Sequence, residues 1–509
     1  MADQPGDGSA APVDAEAVPP CEAGVLLPLH SLPHGHGIGD LGASARAFID
    51  LLATSGNSVW QLLPLHPPAN EAWSPYDATS AHAGFDLLIS LDGLVAIGLL
   101  ESELLAAAPA NLDIVDYWTV ATFKRPRIEI AARELLRRSP ADTLHLAFVA
   151  FCEREESWLE PYAAFELVRT RYGDSGREQW RREDRIRATS SAPTQIDLTT
   201  SITAAIQFFW WRQFGELRAY AHAHDVKLFG DVPIYVGGNS ADVWASPELW
   251  ELNDNGCSDM VSGVAPDHLE GDGQKWGMPV YRWQQHHSTG YSWWIERMRR
   301  AGAAFDIVRL DHYRAIADWW GVPVDAHPRD GQWYPGPGVT FVRALRAAMP
   351  ATWFVAEDIG EVTDAFTRLL VDEPVPGMRM LQQGLDEGEG SKHLPDQFRN
   401  GELVAYTATH DHDTMAGWFA HFSIHDPAVI ARACALLECE PDTLVRASID
   451  AVLSSNARLA VIPMQDWLVL GTEARTNLPG TITGNWAWRV AASVLDGDLS
   501  DRMTEHLTA

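Results

Sequence analysis

Long apolar runs are missing from this 509-residue chain. No stretch approaches the roughly 18 consecutive apolar residues that a membrane-spanning helix requires, so no membrane partner is expected. Cysteine is scarce. Cys21, Cys152, Cys257, Cys434 and Cys439 are scattered, odd in number and form no C-x-x-C pair, which argues against a disulfide framework and a thiolate zinc site. Positive charge is in deficit, with 38 Lys and Arg against 69 Asp and Glu and a formal net charge of −31. Nucleic acid and anionic membrane surfaces would be repelled, so a neutral or cationic ligand is expected. Neither a Walker-type glycine loop nor a dinucleotide fingerprint occurs, and Ser or Cys triads have no strong local signature. No cofactor and no metal are expected. The N-terminal stretch is acidic and rich in Ala and Pro, without the basic start and apolar core of a signal peptide; a disordered tail over 1–21 on a cytoplasmic protein is the expectation.

What is present is a large hydrophobic fraction, 46%, in a chain long enough for one big domain with insertions or for two or three domains. Tryptophan is abundant at 21 residues, several of them paired, as in Trp210-Trp211, Trp293-Trp294 and Trp319-Trp320. Large aromatics first suggest core packing. Because sugar rings pack flat C–H faces on indole, they also lean weakly towards carbohydrate.

Eight short β-prone runs, each ending in a polar or charged cluster, are spaced by helical stretches. They lie at 24–29, 58–65, 227–231, 305–311, 352–358, 377–382, 403–411 and 459–466. Near-continuous apolar runs fit strands covered on both faces, and eight such units predict a (β/α)8 TIM barrel. A barrel needs only ~250 residues, so the excess must sit in large, mainly helical insertions between strands. The expected division is a catalytic barrel with its active-site loops over 22–94 and 227–495, and a mainly helical insertion over 95–226. Helix is expected near 128–136 and 204–220. The Gly-, Asp-, Trp- and Pro-rich stretch 237–290 is expected to form an ordered loop region over the barrel mouth.

Barrel active sites lie at strand C-termini, and here those ends carry Asp231, Asp311, Glu357, Asp411 and Asp466. Retaining glycoside chemistry needs two carboxyl groups about 5–5.5 Å apart, a separation that neighbouring strand ends supply. The strand period places Arg309 and Asp311 on one face, where the guanidinium favours an ionised nucleophile. Glu357 follows an apolar strand beside Asp311, which favours the protonated form a general acid requires. Each acid has an alternative reading as a helix N-cap, and Asp231 is the most open to it. The string His410-Asp411-His412-Asp413 has close metal-ligand spacing, but on a continued strand its His and Asp residues would point to opposite faces.

The chain resembles the amylomaltases, the 4-α-glucanotransferases of the α-amylase clan. The carrying segments are His36-Gly37-Ile38-Gly39-Asp40-Leu41-Gly42, Trp60-Gln61-Leu62-Leu63-Pro64-Leu65, Ser74-Pro75-Tyr76, Gly230-Asp231-Val232-Pro233-Ile234, Ser240-Ala241-Asp242-Val243-Trp244 and Gly273-Gln274-Lys275-Trp276-Gly277. They continue with Arg309-Leu310-Asp311-His312, Ala356-Glu357-Asp358-Ile359-Gly360, Pro376-Gly377-Met378, Thr409-His410-Asp411, Asn477-Leu478-Pro479-Gly480-Thr481 and Asn485-Trp486. The resemblance implies Asp311 as nucleophile, Glu357 as acid/base and Asp411 as the third carboxylate. It implies Arg309, His312 and His410 around the reacting glucose, Tyr76 as its stacking platform, and Asp231, Gln274, Trp276, Asn477 and Pro479 along the groove. The implied reaction moves α-1,4-glucan segments between malto-oligosaccharides by double displacement through a glucosyl-Asp ester. A retaining hydrolase using the same acids is the alternative. The sequence departs from the family at His268 and Leu269, where aromatic residues are common, and at His412, which replaces a common Asn.

Overall fold

The computed structural model describes residues 21–508 apart from 34–35, 111, 174, 267–270, 361–362, 399–400 and 496. The tail expected over 1–21, except Cys21, and the departures at His268 and Leu269 therefore lie outside the described residues. All eight expected strands form: Glu22–Leu26, Val59–Gln61, Lys227–Val232, Ile307–Leu310, Trp353–Ala356, Gly377–Met380, Leu403–Tyr406 and Leu459–Pro463. Most stop short of the polar cluster that closes each sequence run, because those residues leave the ladder to build the barrel mouth. The strands are parallel, and the ladder runs from the sixth through the eighth and first round to the fifth. At the remaining seam the Ala356 N–H donates to the Pro376 carbonyl at 2.8 Å. The architecture is a (β/α)8 barrel.

Alternation along the strands separates two cores. Leu26, Val59, Phe229, Ile307, Val355, Met378, Val404, Tyr406, Leu459 and Val461 fill the barrel interior as one cluster. Their neighbours Val25, Trp60, Leu228, Ala405, Ala460 and Ile462 face outward into the main core with the helices. Val308, Leu310, Phe354 and Ala356 face a second helical layer that includes Phe341, Leu345, Phe366 and Leu369. Because the period is two, continuing the inward rows to the strand ends aims Asp231, Arg309, Asp311 and Glu357 at the barrel axis. The residues that cap the interior are thus fixed by the same parity that fills it.

Two of the loops at the mouth contribute a second, antiparallel sheet. Met260–Val264 and Gln274–Pro279 follow the third barrel strand, Asp318–Pro323 and Gln332–Pro335 follow the fourth, and the spatial order is 274–279, 260–264, 318–323, 332–335. The stretch 237–290, expected to be ordered loop, therefore supplies half of a sheet. Trp319 stacks on Tyr334 with ring centres 4.6 Å apart, and Trp320 meets Trp333 edge-on at 5.1 Å. The Trp210-Trp211 and Trp293-Trp294 pairs are also edge-to-face contacts within the two helical cores. The paired tryptophans are packing elements.

Between the second and third barrel strands run the helices Tyr117–Arg137, Thr143–Arg169 and Ile202–Ala223. Asp116, Asp142 and Ser201 cap them by accepting N–H groups of the first turn. All three helices share the barrel's own outer core. The last one also grips the loop that leaves the second strand. Gln207 Oε1 accepts the Gly84 N–H at 2.7 Å while its Nε2 donates to the Gly84 carbonyl at 3.0 Å. Gln213 makes the same pair of bonds to Ser90, at 2.7 and 3.0 Å. Each buried amide acts as one rung of a ladder for a segment with no neighbouring strand. Gly84 must be glycine because an added Cβ would lie 2.0 Å from the Trp210 ring.

This loop, anchored at Gly84, carries Tyr76. Gln207→Leu removes both of Gly84's buried partners, and each orphaned group costs about 1–3 kcal/mol. A fall of about 2–6 kcal/mol in denaturant-unfolding stability is the expected result; a change below ~0.5 kcal/mol would show that the amide clamp does not hold the loop.

Candidate active site

Four charged residues are brought together first by strand register. Asp231 pairs with Arg309 on neighbouring strands, and Leu310 pairs with Ala356, so Asp311 and Glu357 are the next residues on adjacent strands. Backbone bonds hold them there: Asp311 N–H donates to Val232 O at 3.0 Å, and Glu357 N–H to Leu310 O at 3.1 Å. Arg309 is almost fully buried. Its Nη1 lies 2.7 Å from both Asp231 oxygens and 2.9 Å from Asp311 Oδ1. One guanidinium therefore serves two carboxylates. Asp231 does not cap a helix; its side chain is 0% exposed, against 22% for Asp311. It meets the site through Arg309 and Tyr76.

His312 follows in the left-handed region, with φ +46°. That conformation costs a non-glycine residue about 1 kcal/mol or more. The turn it makes aims the His312 N–H at Glu357 Oε2, 2.7 Å away. Ile359 N–H donates to the other oxygen at 3.2 Å. The imidazole of His312 packs edge-on to Trp276, with ring centres 4.8 Å apart, and Trp276 Nε1 donates to Gln274 Oε1 at 2.8 Å. The second sheet thereby places Gln274 and Trp276 beside the fourth-strand loop. Burial, with Arg314 and Arg309 nearby, lowers the His312 pKa to about 3, so this ring is neutral near pH 7.

A second group assembles after the seventh strand. The expected strand continuation through Asp411 is corrected here: the strand stops at Tyr406, and the chain turns with His412 N–H donating to Thr409 O at 3.2 Å. His410 and Asp411 consequently touch instead of facing apart, Nε2 to Oδ2 at 3.1 Å. Tyr76 joins the two groups. Its hydroxyl donates to Asp231 Oδ2 at 2.7 Å and lies 2.8 Å from His410 Nε2. Since carboxylates only accept, these partners assign the ring proton to Nε2, shared between Tyr76 and Asp411. The Tyr76 and His410 rings are stacked, 5.4 Å between centres and 12° between planes.

The loop after the eighth strand supports this turn. Asn477 Nδ2 donates to Asp411 Oδ1 at 2.6 Å, and Asn477 N–H donates to His410 O at 3.1 Å. Arg475 reaches both partners, through Nη2 to Asp411 O at 2.6 Å and Nε to Asn477 O at 2.7 Å. Pro479 sits two residues beyond Asn477 in a segment held by Leu478 N–H donating to Asn485 Oδ1 at 2.9 Å. Arg475 was missing from the sequence-derived set, and Trp486, matched in the Asn485-Trp486 segment but given no role, has its ring centre 5.7 Å from that of Tyr76. No local pattern ties Arg475 to a turn 64 residues away; its place two residues before the Asn477 motif is the one available signal. Asp466, counted among the strand-end acids, instead accepts from Thr407 Oγ1 at 2.6 Å and Met415 N–H at 2.8 Å, away from the others.

The electrostatics separate the three acids. Burial raises Glu357 to about 7; Arg309 opposes this and the Asp311 carboxylate adds to it. Burial also raises Asp311, to about 6, although Arg309 pulls it down and Asp231 and Asp411 push it up. Arg309 alone therefore does not hold Asp311 at an ordinary carboxylate value, because its charge is shared with Asp231. These neighbouring carboxyls titrate as a pair, with the higher value on Glu357. For Asp411 burial works upwards, but the His410 contact and the Asn477 hydrogen bond outweigh it and hold this acid well below its usual range. At neutral pH Asp411 is ionised, and its side chain is 39% exposed.

Sequence and structure comparisons cover the part of the chain that carries this site. A family profile described as 4-alpha-glucanotransferase matches residues 27–494. A 4-alpha-glucanotransferase of Synechocystis is 38% identical over 490 residues, covering 95% of this chain and 96% of its own. One from Thermus thermophilus is 36% identical, covering 96% of this chain and 97% of its own. Among solved structures, an amylomaltase from Streptococcus agalactiae in complex with acarbose matches with a TM-score of 0.89 at 28% identity, over 96% of this chain and 99% of that one. With the barrel and its ring of strand-end acids, these matches establish that the chain belongs to the 4-alpha-glucanotransferase family, the amylomaltases.

Proposed function

We propose that the enzyme transfers α-1,4-glucan segments between malto-oligosaccharides by a retaining double displacement on Asp311. The observation that carries this reading is the register that starts Asp311 and Glu357 from equivalent positions on adjacent strands. Neighbouring strands lie ~4.8 Å apart, which suits the ~5–5.5 Å carboxyl separation of retaining enzymes better than the ~6.5–9.5 Å of inverting ones. Glu357 gives its proton to the bridging oxygen as Asp311 attacks the anomeric carbon. The C–O bond to the leaving sugar breaks, and a glucosyl ester forms on Asp311. The 4-hydroxyl of an acceptor, losing its proton to Glu357, then displaces Asp311. Two inversions restore the α configuration.

The remaining residues take roles consistent with their exposure. Asp411, ionised and reachable, accepts sugar hydroxyls, and its negative charge stabilises the cationic character developing at the reacting ring. Tyr76 offers the ring face against which that glucose stacks, with His410 behind it. His312, neutral, donates or accepts a hydrogen bond without adding charge. Arg309 positions Asp311, and Asp231 positions Arg309. Gln274, Trp276, Asn477 and Pro479 line the groove to either side. The second sheet and the 477–481 segment restrict water at the ester, which favours a sugar acceptor. Among the described residues no helix is long and apolar enough to cross a membrane. The five cysteines are free thiols, as a reducing cytoplasm would keep them.

Incubation with maltotriose separates transfer from hydrolysis. Products longer than the donor, accompanied by glucose or maltose, are expected; a ladder containing only shorter sugars would make the protein a hydrolase. Asp311→Asn is expected to lower kcat by ~10⁴-fold or more while leaving the unfolding transition nearly in place, and turnover within tenfold of wild type would remove Asp311 as nucleophile.

The pH profile carries a third test. Activity needs Asp311 ionised and Glu357 protonated. Lowering the pH through the Asp311 value, about 6, therefore abolishes attack. Raising it through the Glu357 value, about 7, abolishes protonation of the leaving group. A plot of kcat/KM against pH should be a narrow bell with both limbs above the ordinary carboxylate range of ~4. An acid limb at ~4 would show that burial does not govern Asp311.

A further inference from the structure

Outside the barrel mouth, the helix Met415–His425 ends in His421-Phe422-Ser423-Ile424-His425. Residues four apart lie above one another on a helix face. The two imidazole centres are 4.5 Å apart, with 36° between their planes. Both residues are exposed, and neither ring makes a hydrogen bond or ion pair among the described residues. The glycosyl-transfer site does not use them.

The spacing is compatible with a shared ion. An imidazole nitrogen sits about 2.0–2.1 Å from a bound first-row dication, which puts each ring centre ~3.2 Å from the ion. Two rings on cis positions of a tetragonal ion, ~90° apart, then have centres ~4.5 Å apart, whereas a tetrahedral angle spreads them to ~5.2 Å. The observed distance fits the tetragonal case. We propose that His421 and His425 form a two-imidazole site for a divalent first-row cation of tetragonal preference, copper(II) foremost and nickel(II) after it.

Three features of the chain favour occupancy. His425 lies in the last turn of an eleven-residue helix, where the macrodipole stabilises positive charge, and His421 lies one turn before it. The net charge of −31 raises the local concentration of cations. The helix pre-arranges both nitrogens, so binding through the first makes the second contact intramolecular. No group of three or more His, Cys, Asp or Glu among the described residues could hold a metal ion. Water therefore completes the coordination, and the ion is exchangeable.

Calorimetric titration of the full-length protein with copper(II) chloride and then nickel(II) chloride, wild type against His421→Ala and His425→Ala, tests the site. One metal equivalent bound by wild type should weaken by ~10²-fold or more in each single variant, as expected when a chelate becomes a single ligand. Copper should bind more tightly than nickel, and nickel than zinc. Metal-free glucan transfer and unfolding midpoints should be unchanged, since both side chains are exposed and outside the catalytic machinery. Wild type that binds no equivalent, or variants that keep its stoichiometry and affinity, would overturn the proposal. Copper EPR supplies a second readout: coupling to two imidazole nitrogens is expected in wild type and to one in either variant, and unchanged coupling in both variants would equally overturn it.

Discussion

The site depends on one buried guanidinium held between two carboxylates. Arg309, 4% exposed, contacts both oxygens of Asp231 and one of Asp311. A lone arginine in this position would carry a large desolvation penalty, and a lone Asp231 another; each is tolerable because the other is present. From this pair the polar contacts continue in both directions. Asp311 lies on one side, and Tyr76, His410, Asp411 and Asn477 follow on the other, with each link 3.1 Å or shorter. The belt joins the ends of the third, fourth and seventh barrel strands and the loops after the second and eighth. Displacing any member moves its neighbours, which is how a set of loops acquires the positional accuracy that displacement at a sugar carbon requires.

Burial within the belt is graded, and the grading sorts residues by task. Asp231, Arg309 and His410 are closed off, whereas Asp311 and Asp411 retain exposed surface. The closed residues spend their polar contacts within the belt, while the open ones keep oxygen lone pairs available to a ligand. The same division explains the opposite pKa directions of chemically similar acids. Asp311 must share Arg309 with Asp231 and is raised by burial, whereas Asp411 is lowered because the His410 contact and the Asn477 hydrogen bond outweigh burial. The barrel thus holds one ionised acid beside a pair poised near neutrality.

Supports for the belt lie in parts of the chain that do no chemistry. The helix Ile202–Ala223 fixes the Tyr76 loop through the amides of Gln207 and Gln213. The antiparallel sheet brings Trp276 against His312, and the strained backbone of His312 turns an N–H onto Glu357. Backbone strain of this kind persists only where surrounding packing over-determines it. Here the buried fourth and fifth strands and the second sheet provide that packing.

The eight strands, the barrel they form and the shared face of Arg309 and Asp311 were legible in the sequence, because burial on both faces writes continuous apolar runs and the two-residue period is local; the inward aim of Asp231, left open to a capping role, was not. The family motifs supplied roles for Tyr76, Asp411 and Asn477 that no periodicity contains. Other features depended on contacts between residues far apart in the chain. The second sheet pairs 260–264 with 318–323, so neither segment has a partner within its own neighbourhood. The end of the seventh strand at Tyr406 reversed the expected relation of His410 to Asp411, since a turn, unlike a strand, brings successive side chains together. Arg475 acquires its place only when the loop after the eighth strand folds onto the turn after the seventh. Local chemistry in the sequence determined which groups face the axis. Only the tertiary structure decided which of them share a charge, because hydrogen bonding and desolvation depend on distance in space and not along the chain.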